Sequence, residues 1–251
     1  MRYLDADAVA AFGPAAAVEA IGAALRGGLD PAADPPRVPV GPTHGQFLLM
    51  PSETPAAAGV KVVTVAPGNP ARGLPRIQAA YLLSDAATLA LRAVLDGTAL
   101  TTLRTPAASV AAVLPRLPDR PLRVAVVGAG PQAVGHAATL AAVRPLEDVT
   151  YLVRHPSRAP FVALARGTPR ARDALRAADV VVCATSARSP VFDSALLRDD
   201  TVVVAVGSHE PDARELDAAL LGRATVVVED VATARREDLV VATAVAGLHG
   251  A

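Results

Sequence analysis

Apolar residues recur at helical spacing near the start of the chain, over residues 8–29. They are Val9, Phe12, Val18, Ile21 and Leu25. From residue 37 to residue 83 the pattern changes to short runs of Val and Leu separated by Pro and Gly, at 46–50, 59–65 and 76–83. The pattern predicts an amphipathic helix, ended by Gly27-Gly28, and then a largely antiparallel sheet.

The second half of the chain alternates Val-rich runs with helical segments. The apolar runs are 123–127, 149–153, 179–184, 201–206 and 225–228, and a helical segment at 132–143 follows the first of them. Alternation of strand and helix requires a parallel sheet with right-handed crossovers. Nearly continuous Val is typical of strands that are buried on both faces.

These patterns place the chain in the α/β class. A helix is predicted over 105–114, and residues 115–121, which include three prolines, have the composition of a linker. We expect an N-terminal α+β domain at 1–118 and a Rossmann-type parallel-sheet domain at 119–234. A short C-terminal segment at 235–251 is then available to return to the first domain.

The composition argues against several classes of partner. The net charge is zero and only 3% of residues are aromatic, so the surfaces that attract and stack nucleic acid are missing. No uncharged apolar stretch reaches the length of a membrane span, and the N-terminus has no apolar signal region. The single cysteine, Cys183, lies in an apolar run that predicts a buried structural thiol. We expect a soluble, cytoplasmic protein without a membrane partner.

One basic residue differs from all the others. Of the 24 Lys and Arg residues, 23 are Arg, and Lys61 is the single Lys. An ammonium is compact and loses its proton readily when desolvated, which a guanidinium does not. Lys61 lies within an apolar strand segment, where an unpaired ammonium is costly, so we expect it to face a cleft or an anion. The alternative is that a lone lysine is a matter of chance.

The sequence GAGPQA directly follows the first Val-rich run and opens the predicted helix. In this context Gly128 allows a tight turn and Gly130 allows close approach of the backbone to a pyrophosphate. Ala133 is small enough for helix packing, Pro131 loses no hydrogen bond in the first turn, and Gln132 continues that turn. The free amides and the helix dipole favour a phosphate, so the motif predicts a dinucleotide site. The alternative is a Gly-rich loop without a ligand.

The end of the second predicted strand bears on the choice of cofactor. A carboxylate there would accept a hydrogen bond from the ribose 2′-hydroxyl, but this sequence has Arg154, Ser157 and Arg158 instead. Two guanidinium groups and a hydroxyl suit a 2′-phosphate, so NADP(H) is favoured and NAD(H) is the alternative. The alternative is that the two arginines are solvated cations of a loop and bind no cofactor.

Three segments carry a resemblance to a known family. The stretch 80–112, GAGPQA and AVGSHEPDARELD are similar to the ornithine cyclodeaminase/mu-crystallin family. The resemblance implies an N-terminal substrate-binding and dimerisation domain, a Rossmann domain, a site in the cleft between them and a homodimer. Members of the family include cyclodeaminases, ketimine reductases, amino-acid dehydrogenases and an NADPH-binding lens protein.

The resemblance also implies roles for particular residues. Arg37, Lys61 and Arg104 match the groups that hold a substrate carboxylate and act beside its nitrogen. Arg104 precedes Thr105-Pro106 at an expected helix start, where a guanidinium can bind a carboxylate through two hydrogen bonds. Arg37 lies in a Pro-rich loop, and its alternative is a solvated cation. At the ends of the later Rossmann strands, Thr185, Val206 and Gly207 are assigned to the cofactor.

Three departures from the family pattern limit this transfer. His209 stands where cyclodeaminases have a catalytic Asp, and this difference favours imine or keto-acid reduction. His209 is therefore a candidate acid/base in addition to Lys61. The alternative is that His209 is a loop residue with a structural hydrogen bond. The segment 154–178 leaves little room for a full strand and helix. The closing segment, 237–251, has the appearance of a truncated one, which would leave the site more open.

The leading hypothesis is an NAD(P)H-dependent reductase of a cyclic ketimine carboxylate, or the reverse oxidation of an amino acid. One alternative is an NAD-dependent ornithine or lysine cyclodeaminase, and another is a non-catalytic NADPH-binding protein. The five histidines have no metal-ligand spacing and no G-x-S-x-G elbow is present, so neither a metal site nor a hydrolase is expected.

Overall fold

The computed structural model describes residues 1–207, 213–231 and 234, together with the backbone of 243–246. The chain divides into two compact units, Met1–Arg104 and Thr105–Ala251. This division falls inside a helix that runs from Gly97 to Val113. The domain limits drawn from the sequence, after residues 118 and 234, stay predictions.

The first unit is built on a six-stranded sheet. Its strands are β1 Arg2–Leu4, β2 Val38–Val40, β3 Gln46–Thr54, β4 Ala57–Val65, β5 Ile77–Asp85 and β6 Leu91–Asp96. Their order is β1-β6-β5-β4-β3-β2, and only the β1–β6 pair is parallel among these neighbours. The prediction of a largely antiparallel sheet is confirmed. The helices are α1 Ala6–Ala10, α2 Pro14–Arg26 and the first part of α3 Gly97–Val113.

The N-terminal helix predicted over 8–29 is two helices, so its predicted extent was wrong. Asp5 caps α1 by accepting a hydrogen bond from the amide of Ala8 at 2.9 Å. Gly13 has φ of 80°, a conformation that glycine adopts without strain, and it separates the two helices. Pro14 then begins α2, where its missing N–H costs nothing. The apolar spacing continued across this break and concealed it.

Helix α3 starts eight residues earlier than the sequence predicted. We expected a start at residue 105 because proline favours the first turn of a helix, yet Pro106 lies inside α3. The hydroxyl of Thr101 donates to the carbonyl of Gly97 at 2.7 Å, and Asp96 accepts from the amide of Ala99 at 2.8 Å. Arg104 therefore lies within a helix rather than at its start, which corrects the expectation.

The second unit is built on a seven-stranded sheet. Its strands are β7 Leu122–Val127, β8 Leu146–Val153, β9 Leu164–Ala165, β10 Val180–Cys183, β11 Val202–Ala205, β12 Ala224–Val227 and β13 Thr243–Ala246. Its helices are α4 Pro131–Val143, α5 Pro169–Ala177 and α6 Ala218–Arg223. Short 3-10 turns lie at Pro31–Ala33, Asn69–Arg72, Leu114–Arg116, Pro156–Arg158 and Ser194–Leu196.

The strand order in the second unit is β12-β13-β11-β10-β7-β8-β9. Strands β9, β8, β7, β10 and β11 are parallel, which confirms the Rossmann-type prediction. The run 225–228 was expected to extend this parallel sheet, but β12 joins it through β13, and both pairings of β13 are antiparallel. The segment 154–178 contains a strand of two residues and a helix of nine.

The central strands β7, β10 and β11 form the core of the second unit. Val126, Val181 and Val203 are each 0% exposed, because both faces of the sheet are covered. Cys183 lies among them and is fully buried, as the sequence predicted. Burial, and secondarily the charge of Glu215, holds the pKa of the Cys183 thiol well above its ordinary value. The thiol is therefore protonated and structural at neutral pH.

Asp179 ties three segments together at the amino end of the parallel strands. Its carboxylate is 3% exposed and accepts two hydrogen bonds from Arg120, at 2.8 and 2.9 Å. Arg198 and the amide of Arg123 donate two more, each at 2.9 Å. Burial raises the pKa of Asp179, but these hydrogen bonds outweigh it and hold the pKa below its ordinary value.

We expect Asp179→Asn to destabilise the protein by about 2–3 kcal/mol at pH 7, because an amide leaves buried donors unsatisfied. A lowered folded-state pKa gives stability that is complete above the unfolded pKa and is lost as pH falls through the folded one. The difference between variant and parent should therefore shrink below about pH 4. Urea unfolding at pH 7 and pH 3 measures it. Asp173→Asn, in an exposed pair with Arg176, is the control, and equal stability of both variants at pH 7 would contradict the prediction.

Candidate functional site

An open cleft of about 450 Å³ lies at the carboxyl edge of the parallel strands in the second unit. It adjoins the point where the chain order reverses, between β7 and β10, which is where ligands bind in open α/β sheets. Lining residues that bear on its chemistry are Gly128, Gly130, Arg154, His155, Arg158, Arg166 and Thr185. The volume falls in the range of small-molecule and cofactor sites.

The turn between β7 and α4 can be made only with glycine at its first position. Gly128 has φ of 127°, and an added Cβ would lie 2.5 Å from the carbonyl oxygen of Ala184. Its amide donates to the carbonyl of Leu152 on β8 at 3.0 Å. The turn is therefore held against β8 on one side and lies against the end of β10 on the other. Ala133, fully buried, packs beneath it. The predicted tight turn is therefore present with the predicted small residue behind it.

The amino end of α4 opens into the cleft. Gly130 is the N-cap residue, and no side-chain hydrogen bond caps the helix there. Pro131 follows as the first helical residue, and an added Cβ on Gly130 would meet no atom within 4 Å. The space in front of this turn is therefore open, and the helix dipole places partial positive charge there. This geometry fits a pyrophosphate group.

His136 supports the same helix from its buried side. Its Nδ1 lies 2.7 Å from the carbonyl oxygen of Gln132, to which it donates, and its Nε2 lies 3.2 Å from Oγ of Ser109. Burial lowers the pKa of His136 to about 4, with the Gln132 hydrogen bond opposing the shift. The ring is neutral at pH 7, and it anchors the first turn of α4 to α3.

Three arginines face the cleft on the side of β8 and β9. Arg154 and Arg158 were predicted there, and Arg166 was not. The amide of Arg166 donates to the carbonyl of Val153 at 2.9 Å, which brings it beside Arg154. Burial, and then the charge of Arg154, lowers the pKa of Arg166. Ser157 lies in the same 3-10 turn as Arg158 but is not among the lining residues.

The charge balance of this edge favours an anion. Within the described part of the chain, Arg154, Arg158 and Arg166 form no ion pair, and no Asp or Glu lines the cleft. Three unneutralised guanidinium groups repel one another, so a bound anion with several acceptor oxygens would stabilise them. Arg166 follows a strand of only two residues, a signal too short for sequence patterns to detect.

The other side of the cleft is formed by residues that follow β10, next to the end of β11. Thr185 lines the cleft, and Val206 and Gly207 follow β11, where the amide of Val206 donates to the carbonyl of Cys183 at 2.9 Å. Both strand ends are held by Glu215, a buried residue that sequence reasoning did not identify. His209, the candidate acid/base, lies outside the described residues, as does most of 237–251.

Lys61 is buried in the first unit, with 7% exposure. It lies on β4 opposite Met50 on β3 and Tyr81 on β5, so the three side chains leave the sheet on one face. Its ammonium donates to the hydroxyl of Thr101 on α3 at 3.4 Å. Thr101 also donates to a carbonyl of its own helix, so its oxygen accepts from Lys61.

The two predicted substrate arginines belong to the same neighbourhood of the sheet and helix. Arg104 follows Thr101 by one helical turn, and residues three apart lie on the same side of a helix. Arg37 is exposed and immediately precedes β2. Since Val38 pairs with Leu49, Arg37 lies next to Met50, the partner of Lys61.

Tyr81 is a further candidate site residue, and the pairing of β4 with β5 is what places it beside Lys61. It is half-buried, and its hydroxyl occupies the space over Gly59, where an added Cβ would lie 2.2 Å from the phenol oxygen. Burial, and then the charge of Asp34, raises the pKa of Tyr81. The phenol is therefore a neutral hydrogen-bond donor at pH 7, paired across the sheet with Lys61.

Residues 1–207 and 213–231 contain neither a metal-binding cluster nor a membrane-spanning helix. No group of three His, Cys, Asp or Glu side chains there is arranged to hold a metal ion. No helix among the same residues combines the length and apolarity needed to cross a membrane.

Comparison with curated proteins identifies relatives that cover most of the chain. Delta(1)-pyrroline-2-carboxylate reductase 2 of Burkholderia ambifaria is 40% identical over 209 residues, which is 79% of this chain and 66% of the relative. The chain thus spans just under two thirds of the length of that relative.

Solved structures with the same fold are similar over a larger part of the chain. An archaeal alanine dehydrogenase dimer with bound NAD superimposes with a TM-score of 0.78 at 29% identity, covering 94% of this chain and 76% of that protein. The Delta(1)-pyrroline-2-carboxylate reductase of Thermococcus litoralis, in complex with NADH and L-proline, gives 0.74 at 29% identity, with 89% and 74% covered. The profile of one family matches residues 12–247: the chain belongs to the ornithine cyclodeaminase/mu-crystallin family.

Proposed function

We propose that the chain is an NAD(P)H-dependent oxidoreductase that reduces a small cyclic ketimine carboxylate, such as a pyrroline- or piperideine-2-carboxylate. The reverse reaction is oxidation of the corresponding amino acid. The observation that carries the proposal is the uncapped amino end of α4, which opens into a cleft bordered by three arginines. The 40% identity to a pyrroline-2-carboxylate reductase supports the choice of reaction.

The cofactor would be held by groups of the second unit. The turn at Gly130 would bind the pyrophosphate through backbone amides, and Thr185 and Gly207 would flank the nicotinamide half. Arg154, Arg158 and Arg166 would bind a 2′-phosphate, so we infer a preference for NADP(H), although the solved relatives are described with NAD or NADH. A reduced nicotinamide supplies a hydride ion to the carbon of a C=N bond.

The substrate would be held by groups of the first unit. Arg104 and Arg37 carry the positive charge that binds a carboxylate, and Lys61 would hydrogen-bond to the ring nitrogen or protonate it. Reduction adds one hydride ion to carbon and one proton to nitrogen, which converts the C=N bond to a C–N bond. Tyr81 is a neutral donor beside Lys61, and His209 stays a second candidate for the proton.

A symmetric dimer through the N-terminal sheet is part of the same proposal. Val38, Val40, Phe47 and Ile77 are each 39–50% exposed on β2, β3 and β5. β2 also forms an edge of its sheet, and an exposed apolar edge favours association with another chain. The archaeal alanine dehydrogenase is described as a dimer. Light scattering coupled to gel filtration should give twice the mass of the chain.

The reaction is tested by following nicotinamide absorbance with NADPH and NADH against cyclic ketimines, 2-keto acids with amines, and ornithine or lysine, with ammonia monitored in parallel. We expect oxidation of NADPH with a cyclic ketimine and no release of ammonia. Ammonia release without a net absorbance change would identify a cyclodeaminase instead. Tight NADPH binding without oxidation across the panel would identify a non-catalytic binding protein.

The cofactor preference is tested by Arg154→Gln and Arg166→Gln. Each removes a charged donor from the cleft, so we expect the Kd for NADPH to rise about tenfold or more, since a hydrogen bond to a charged group contributes roughly 1.5–3 kcal/mol. The Kd for NADH should hardly change. Arg172→Gln, on the exposed surface of α5, is the matched control. Equal loss of affinity for NADPH and NADH would refute a 2′-phosphate site.

A further inference from the structure

Glu215 is one of three charged side chains of the described residues that are buried, together with Lys61 and Asp179. It is 2% exposed and lies between β11 and α6. Asp179 stabilises the opposite end of the strands, and the proposed function assigns a role to Lys61. Neither the proposed cofactor contacts nor the proposed reaction requires a carboxylate at position 215, although a buried charge is costly unless hydrogen bonds compensate it.

Both oxygens of this carboxylate accept hydrogen bonds from the ends of two strands. Oε1 accepts from the amide of Thr185 at 2.7 Å and from its hydroxyl at 2.6 Å. Oε2 accepts from the amide of Gly207 at 2.8 Å. Thr185 follows β10 and Gly207 follows β11, so one side chain connects the carboxyl ends of two neighbouring parallel strands.

The two strand ends are also in close contact with each other. An added Cβ on Gly207 would lie 1.9 Å from the carbonyl oxygen of Thr185 and 2.7 Å from Oε2 of Glu215. No side chain larger than hydrogen fits at Gly207, so the spacing between the two ends is set by backbone and by the Glu215 carboxylate. The carbonyl of Glu215 in turn accepts from the amide of Val191 at 2.9 Å, which fixes the residue itself.

The position of these strand ends relates them to one half of a dinucleotide. In a Rossmann sheet the pyrophosphate lies at the first turn, and the two nucleotide halves lie on opposite sides of it. Arg154 and Arg166 border the β8–β9 side, which suits the adenosine half. Thr185 borders the cleft on the β10 side, and Gly207 is packed against Thr185, so this side is left for the nicotinamide half.

We propose that Glu215 is a positioning residue, whose carboxylate holds the ends of β10 and β11 at the spacing that receives the nicotinamide half of the cofactor. This inference rests on the proposed function. A carboxylate suits the role because it offers acceptors only, and the groups of Thr185 and Gly207 that face it are all donors. A glutamine would turn an N–H₂ group toward one of these donors and separate the strand ends.

The test compares whole cofactors with fragments that lack nicotinamide. Calorimetry with Glu215→Gln should show NADPH binding weakened about tenfold or more, because the separated strand ends no longer fit the nicotinamide half. Binding of adenosine 2′,5′-bisphosphate, and of ADP as the fragment of NADH, should stay close to the parent value. Glu147→Gln, an exposed glutamate paired with Arg123, is the matched control and should leave both affinities unchanged.

Thr185→Val tests the same contact from its other side, because it removes the hydroxyl that donates to Oε1. It should also weaken the binding of NADPH more than the binding of the bisphosphate. If Glu215→Gln does not fold, Thr185→Val provides the test instead. Equal weakening of cofactor and fragment, or no weakening of either, in the folded variants would overturn the role of Glu215. A parent protein that binds neither cofactor nor fragment would overturn the proposed function itself.

Discussion

Replacing Lys61 by Met is expected to lower kcat for ketimine reduction by about a thousandfold, the usual contribution of a positioned acid or base. Lys61 is 7% exposed and its ammonium donates a hydrogen bond to Thr101, so the side chain is held in place away from solvent. Met has similar length and removes only the charge and the donors. NADPH affinity should be unchanged, because the groups that we propose to hold the cofactor belong to the second unit. Steady-state rates and a calorimetric titration measure the two effects.

The stability of this variant separates chemistry from folding. Replacing a buried charge by an apolar side chain of similar volume is often neutral or stabilising, so the melting temperature should not fall. Lys61→Arg keeps the charge but adds a planar, bulkier group, and we expect this variant to be as inactive as Lys61→Met. Full turnover by either variant would remove the Lys61 ammonium from the mechanism.

Gly128→Ala is expected to abolish dinucleotide binding and to destabilise the second unit. The residue has φ of 127°, and the new methyl would lie 2.5 Å from a backbone carbonyl of Ala184. Strained backbone of this kind costs about 1–3 kcal/mol, and the steric clash adds to it. Chemical denaturation should therefore report a loss of at least about 2 kcal/mol. A folded Gly128→Ala variant that binds NADPH normally would contradict the geometry of the turn.

Gly130→Ala is the matched variant that separates binding from stability. Its methyl meets no protein atom within 4 Å, and its φ of −81° suits any residue. We expect parental stability but about tenfold weaker NADPH binding, because the methyl occupies space that a pyrophosphate would fill. Unchanged affinity would show that no ligand approaches the backbone at this point.

The features that sequence predicted well are local ones. The run 123–127 and the helix 132–143 correspond to β7 Leu122–Val127 and α4 Pro131–Val143, because apolar periodicity and glycine spacing are read from adjacent residues. The break at Gly13 was missed because the apolar spacing on both sides of it is helical. The path of α3 through Pro106 was missed because proline normally marks a helix start.

The site was less predictable, since its members meet through tertiary packing. Glu215 reaches Thr185 across 30 residues of sequence, and Arg166 approaches Arg154 only through the short pairing of β8 and β9. Tyr81 joins Lys61 by strand register, which one sequence does not reveal. By contrast, Arg154 and Arg158 directly follow an apolar strand, so their place beside the cleft could be inferred from the strand itself.

The most direct test is a calorimetric titration of the parent protein with NADPH and with NADH. If backbone amides at the amino end of α4 bind a pyrophosphate, both cofactors should bind saturably at one site per chain, with NADPH the tighter of the two. Absence of binding heat with both cofactors, supported by the absence of any cofactor-dependent rise in melting temperature, would contradict the dinucleotide site and the proposed oxidoreductase activity with it.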